Sequence, residues 1–178
     1  MRATALVLAM VLAAAAPAGA AVVDAQPGGI NVASTITVAA PPDKVYAALL
    51  QWGRWWSSAH TYSGAAANLS LDARAGGCLC EALPGGGSVM HMTVVYLDPG
   101  RILRLRGPLG PLQGMGADGA LTWTVKPAPA GSELAVSYVA GGYFPGGGVA
   151  IAPAVDRVLG EQLVRLKAFA ETGRPGAP

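Results

Sequence analysis

The sequence predicts an α+β domain in which a curved antiparallel sheet packs on one long C-terminal helix. Three observations carry this. Six short segments of alternating or apolar residues follow one another between Leu69 and Val139. Gly/Pro clusters separate most of them at hairpin spacing. The run Val149–Thr172 then carries an apolar stripe at helical period.

Taken in order, Val32, Ser34, Ile36 and Val38 alternate with Ala33, Thr35 and Thr37, a period-2 pattern for a first strand. Pro41-Pro42-Asp43 stops that strand and suits the first turn of a helix. Val45, Leu49 and Trp52, with Tyr46 and Leu50, form its stripe, and Gly53 ends it. Arg54–His60 is expected as a second short helix. The six strand segments are Leu69–Ala73, Cys78–Leu83, Ser88–Leu97, Arg101–Arg106, Ala120–Lys126 and Glu133–Val139, so the sheet has about seven strands. Gly107–Gly119 is a longer Gly/Pro-rich loop, expected to border an opening. The last helix places Val155, Val158, Leu159, Leu163, Leu166, Phe169 and Ala170 on one face, and Gly173 follows its end.

Residues 1–20 read as a signal peptide. Arg2 precedes an apolar run, Ala5–Ala16, and Ala18-Gly19-Ala20 offers a cleavage site. A flexible lead (21–29), the domain (30–173) and a short tail (174–178) follow. The expected location is periplasmic or secreted. No later segment reaches transmembrane length unbroken, so no stable membrane insertion is expected after cleavage. Without Arg2 the chain holds eleven basic and ten acidic residues, a net +1 with no basic stripe, which argues against a nucleic-acid partner. Glycine, 25 of 178 residues, runs at about twice its usual frequency of roughly 7%. Oligomeric state is not encoded in any pattern found.

The order of these motifs resembles the START-like (SRPBCC) superfamily, and within it the polyketide cyclase/dehydrase and heat-shock ATPase-activator-like branch. The residues that carry the likeness are the Pro41–Leu50 entry and Arg54-Trp55-Trp56-Ser57. Further on come Asp72–Gly77 before a strand holding Glu81, Val94–Arg101 with its Asp-Pro-Gly turn, Gly131–Tyr138 and the terminal helix. The resemblance implies a helix-grip fold with a cavity between sheet and C-terminal helix. It also implies apolar ligands, with only some members being enzymes. The leader departs from relatives that look cytoplasmic, and argues against a chaperone-ATPase partner.

Hairpin register assigns side chains to faces. Centring the turns on Pro84–Gly87 and Asp98–Arg101 pairs Leu79 with Met92, Cys80 with His91, Glu81 with Met90, and Tyr96 with Leu103. Opposite and alternate residues share a face. Leu79, Glu81, Met90, Met92, Val94, Tyr96, Leu103 and Leu105 then face the helix, joined by Leu121, Trp123, Val125, Leu134, Val136 and Tyr138. Cys78, Cys80, His91, Thr93, Val95, Leu97, Ile102, Arg104 and Arg106 face outward. A one-residue slip would exchange the sets.

From these faces the expected ligand-binding residues are Trp55, Trp56, Glu81, Met90, Met92, Tyr96, Leu105, Trp123 and Tyr138, around a small apolar or aromatic molecule. Glu81 is the lone carboxylate of the inner set. Burial without a partner should raise its pKa and poise it as an acid–base group; alternatively it caps a hydroxyl or backbone group near the mouth. Cys78, Cys80 and His91 supply three zinc-type ligands but no fourth, so no metal is assigned. Residues i and i+2 of an extended strand lie about 6.6 Å apart, which is too far for a Cys78–Cys80 bridge, and two free thiols are expected; in an oxidising compartment the alternatives are pairing between chains or a bridge under strand distortion. His60 is expected at the pocket mouth. No cofactor motif is present. The sequence therefore points to an exported binding module. The alternatives are a cyclase/dehydratase-type enzyme with Glu81 as acid–base group and Tyr96 or Tyr138 orienting, or a structural protein with a filled pocket.

Overall fold

The computed structural model describes residues 21–176, and the expected signal peptide lies outside the described residues. Eight strands form one antiparallel sheet: β1 (Ala21–Gln26), β2 (Gly29–Val38), β3 (Leu69–Leu71), β4 (Cys78–Ala82), β5 (Ser88–Asp98), β6 (Ile102–Arg106), β7 (Asp118–Ala128) and β8 (Gly131–Gly141). Their order across the sheet is β1-β2-β8-β7-β6-β5-β4-β3. α1 (Pro42–Leu49) and α2 (Trp52–Trp55) follow β2, and α3 (Gly148–Thr172) closes the chain. This is a helix-grip arrangement with one strand more than expected.

The extra strand is β1. Residues 21–26, expected as a loose lead, pair with β2 through the Pro27-Gly28 turn. The second short helix is also placed differently. Gly53, expected to separate the two helices, lies inside α2, and a separate 3-10 turn spans Ser58–His60.

The inner face of the sheet and the stripe of α3 make one core. Leu79, Met92, Val94, Leu103, Leu105, Leu121, Trp123, Val125, Leu134, Val136 and Tyr138 are all buried, as parity requires. Against them α3 presents Val155, Leu159, Leu163, Leu166 and Phe169. The C-terminal end of α3 is fixed to the end of β2, where Lys167 Nζ donates to Thr37 O at 2.7 Å and Ala39 N–H donates to Glu171 Oε1 at 2.7 Å. Gly173 ends the helix at φ 77°, its N–H on Phe169 O, a conformation glycine adopts without steric cost. The four tryptophans form a second cluster: Trp52 stacks on Trp56 at 4.9 Å between ring centroids, and Trp55 meets Trp123 edge-on at 5.6 Å.

Two register breaks along β5 correct the face assignment. One falls between the pairs Leu79↔Met92 and Cys80↔Met90 and leaves His91 as an extra residue. The other falls between Val94↔Leu105 and Tyr96↔Arg104 and leaves Val95 extra. Each extra residue reverses parity beyond it. Met90 and Tyr96, expected on the inner face, are therefore 60% and 45% exposed on the outer one. Tyr96 lies under the Arg104 guanidinium instead.

The cysteine expectation is overturned at the same place. Cys78 and Cys80 are bridged, with their Cα atoms 5.4 Å apart. β4 is drawn in across Leu79, beside the first register break, so the extended-strand spacing does not hold there.

Candidate functional site

A cavity of about 290 Å³ lies between the sheet and the N-terminal half of α3. Leu69, Leu79, His91 and Met92 line it from the sheet, and Ile151, Ala154, Val155 and Val158 from α3. Trp52, Trp56 and residues 59–62 form a third wall, and residues 109–112 a fourth. The Gly107–Gly119 loop thus borders the opening as expected.

Of the residues expected at the ligand, Trp56 and Met92 line this cavity. Glu81 is buried directly behind it. Trp55, Leu105, Trp123 and Tyr138 are fully buried in the adjoining core and do not form the wall. Met90 and Tyr96 are on the opposite face. Trp52 and His91 were assigned elsewhere by pattern, Trp52 to the stripe of the first helix and His91 to the outer face.

Glu81 ties three segments together. Its Oε2 accepts from His91 Nε2 at 2.8 Å and from the Tyr62 N–H at 3.2 Å, and its Oε1 accepts from the Ser63 N–H. Burial pushes the carboxyl up, but the hydrogen bonds from Ser63, His91 and Tyr62 outweigh it and hold the pKa below the usual glutamate value. The expected rise is therefore reversed, because the carboxylate is partnered. Glu81 caps backbone donors, and His91 is the group that reaches the cavity. The first register break makes this possible by turning His91 inward beside Met92.

A second pair repeats the pattern. His60 Nε2 lies 2.9 Å from Glu161 Oε2 on α3, and His60 lines the cavity at its mouth. Burial raises the Glu161 carboxyl, but Ser57, His60 and Arg165 together hold its pKa low. The Trp56 indole N–H donates to His60 O at 3.0 Å and fixes that turn.

The fourth wall is held by Tyr138. Its hydroxyl donates to Gly107 O and accepts from the Leu109 N–H, both at 3.1 Å. Burial pushes its pKa up to about 12. Its ring needs Gly119: a Cβ there would stand 2.6 Å from it. Tyr62 OH donates to Gly110 O at 3.0 Å and joins this loop to the third wall. Among the described residues no cluster of three or more His, Cys, Asp or Glu side chains could hold a metal, and no helix is long and apolar enough to cross a membrane.

The lowered pKa of Glu81 has a pH signature. Its stabilising contribution is complete above the ordinary glutamate range and is lost as pH falls through the lowered value. Glu81→Gln leaves a buried N–H facing an amide, and is expected to cost about 1–3 kcal/mol near neutral pH. The gap from the parent should close on acidification. Urea unfolding of both proteins across pH measures this, and a gap independent of pH would contradict it. Glu161 and Glu171 also have lowered pKa values, but they titrate in both proteins and cancel in the difference.

The family model described as polyketide cyclase/dehydrase and lipid transport matches residues 29–171. Among curated proteins none matches this chain. Protein CV1439 from Chromobacterium violaceum has a similar solved structure, 20% identical with a TM-score of 0.56, over 79% of this chain and 96% of that one. CalU16 from Micromonospora echinospora is 17% identical with a TM-score of 0.60, over 90% and 88%. DynU16, from the dynemicin biosynthetic locus, is 19% identical with a TM-score of 0.57, over 82% of this chain and 48% of that one. At such identities these structures establish the fold. The family match spans most of the chain, and the chain belongs to the polyketide cyclase/dehydrase and lipid transport family.

Proposed function

We propose that the protein is an exported binding module for a small apolar or aromatic molecule held between the sheet and α3. The observation that carries this is the cavity itself. Its walls include Trp52, Trp56, Leu79, Met92, Leu112, Val155 and Val158, with His60, His91 and Tyr62 as the titratable groups. Its volume of about 290 Å³ lies just below the range of roughly 300–1,000 Å³ typical of ligand sites and suits a small guest. That counts against a filled, purely structural core. The family's association with lipids and polyketides supports an apolar guest.

Export has two independent supports. One is the leader, with Arg2, the Ala5–Ala16 run and Ala18-Gly19-Ala20. The other is the Cys78–Cys80 bridge, a bond that persists in oxidising compartments.

A cyclase/dehydratase-type enzyme is a second reading, favoured by the Glu81–His91 pair. A carboxylate that fixes an imidazole at a cavity wall is an acid–base arrangement. In that reading His91 transfers the proton and Glu81 positions it. Bound ligand recovered unchanged in both mass and chromatographic retention after incubation favours the module; loss of water, or an isomer of equal mass and altered retention, favours the enzyme.

An apolar reporter dye is expected to bind at about one per chain and to quench tryptophan fluorescence. Val158→Phe, which fills the cavity, should weaken that binding about tenfold or more, since excluding one ring-sized group costs at least about 1.4 kcal/mol. Arg104→Ala, on the outer face, should leave it unchanged. The opposite ranking would place the dye elsewhere and remove the basis of the reading. For export, protein from the source cell is expected to begin near Ala21 and to show no free thiol when denatured unreduced. An intact Met1 in the cytosolic fraction would refute it.

A further inference from the structure

The two histidines of the chain both line this cavity, and in both the same nitrogen is engaged by a glutamate that does not line it. Nε2 of His91 is taken by Glu81 and Nε2 of His60 by Glu161. Among the described residues no hydrogen bond engages Nδ1 of either ring. The His91 side chain is 11% exposed and that of His60 31%, so His91 lies within the cavity and His60 at its rim. Trp52, on the same wall, carries a buried indole N–H without a partner among the described residues.

An apolar guest pressed against His91 would leave that Nδ1 unpaired, which a site penalises more than it rewards a match. An ammonium group would find no free carboxylate, since Glu81 is already engaged by three donors. A carboxylate guest would sit close to the negative charge of Glu81. A phenolic or enolic hydroxyl meets neither objection. As a neutral group it donates to Nδ1 of the neutral ring, and its oxygen accepts from the N–H of the protonated one. The stacked Trp52–Trp56 pair offers such a molecule a flat wall.

We propose that His91, positioned by Glu81, is the hydroxyl-reading group of the cavity, and that the ligand is an aromatic or conjugated molecule bearing a phenolic or enolic hydroxyl. This rests on the binding reading above. His60 serves as a second acceptor at the rim.

The test titrates the full chain with 2-naphthol against naphthalene and 2-methoxynaphthalene, which bracket it in size. The parent is expected to prefer 2-naphthol by roughly ten- to hundredfold. His91→Phe should abolish the preference while keeping affinity for 2-methoxynaphthalene, which also reports an intact fold. Glu81→Gln should reduce the preference too, because an amide N–H facing Nε2 moves the ring proton to Nδ1. In the parent, 2-naphthol but not 2-methoxynaphthalene should shift the His91 Nδ1 nitrogen resonance, a readout that needs no variant. Equal affinity for all three probes, or a preference that survives His91→Phe, would overturn the proposal and leave the binding reading standing. Failure of every probe to bind would overturn both.

Discussion

The register of β5 against its two neighbours decides what the cavity contains. An antiparallel pair accommodates an extra residue only by bending and twisting locally, and β5 does this at His91 against β4 and at Val95 against β6. Between the two breaks Met92 and Val94 point into the core; outside them the parity is reversed. Without the first break Glu81 would stand opposite Met90, and His91 would face solvent. A carboxylate would then be buried with no imidazole beside it, at a cost that buried charges rarely bear unpartnered. The break, the Cys78–Cys80 bridge that draws in β4 across Leu79, and the Glu81–His91 contact are one local arrangement.

The rim of the cavity is built from polar contacts that face away from it. Glu81 holds Tyr62 and Ser63, Tyr62 reaches Gly110, Tyr138 holds Gly107 and Leu109, and Trp56 holds His60. Backbone donors and acceptors of two irregular segments are satisfied in this way, as buried loops require. The wall itself is mostly apolar, its polar groups being the two imidazoles, the Thr61 and Tyr62 hydroxyls and the tryptophan N–H groups. In small-molecule sites generally, an apolar wall with a few placed polar atoms is what fixes the orientation of a guest.

Much of this was legible in the sequence, and the failures have local causes. Period-2 patterning located the inner face correctly at Leu79, Met92, Val94, Leu105, Trp123 and Tyr138, because burial enforces parity wherever pairing is regular. It failed at Met90, His91 and Tyr96, since neither bulge carries a glycine or another residue that marks one. The cysteine expectation failed for the same reason: extended spacing was assumed at the one point where β4 is not extended. β1 was missed although Pro27-Gly28 is a turn signal, because Ala21–Gln26 shows no clean alternation. For the site, burial of Trp55, Trp123 and Tyr138 was readable, but packing alone decides which buried aromatics meet empty space and which meet each other. Trp52, Ile151 and Ala154 became wall residues through the way α2 and α3 are seated, and no spacing in the chain records that.

The methionines on either side of the first break give the most direct test of this account. Met92 and Met90 are two residues apart, one on the cavity wall and the other 60% exposed on the far side of the sheet. With methyl-labelled protein and bound 2-methoxynaphthalene, intermolecular nuclear Overhauser effects are expected from the ligand ring to the Met92 methyl and to Val158. None is expected to Met90. Contacts to the Met90 methyl in place of Met92 would contradict the register, and with it the placement of His91 and the site built around it.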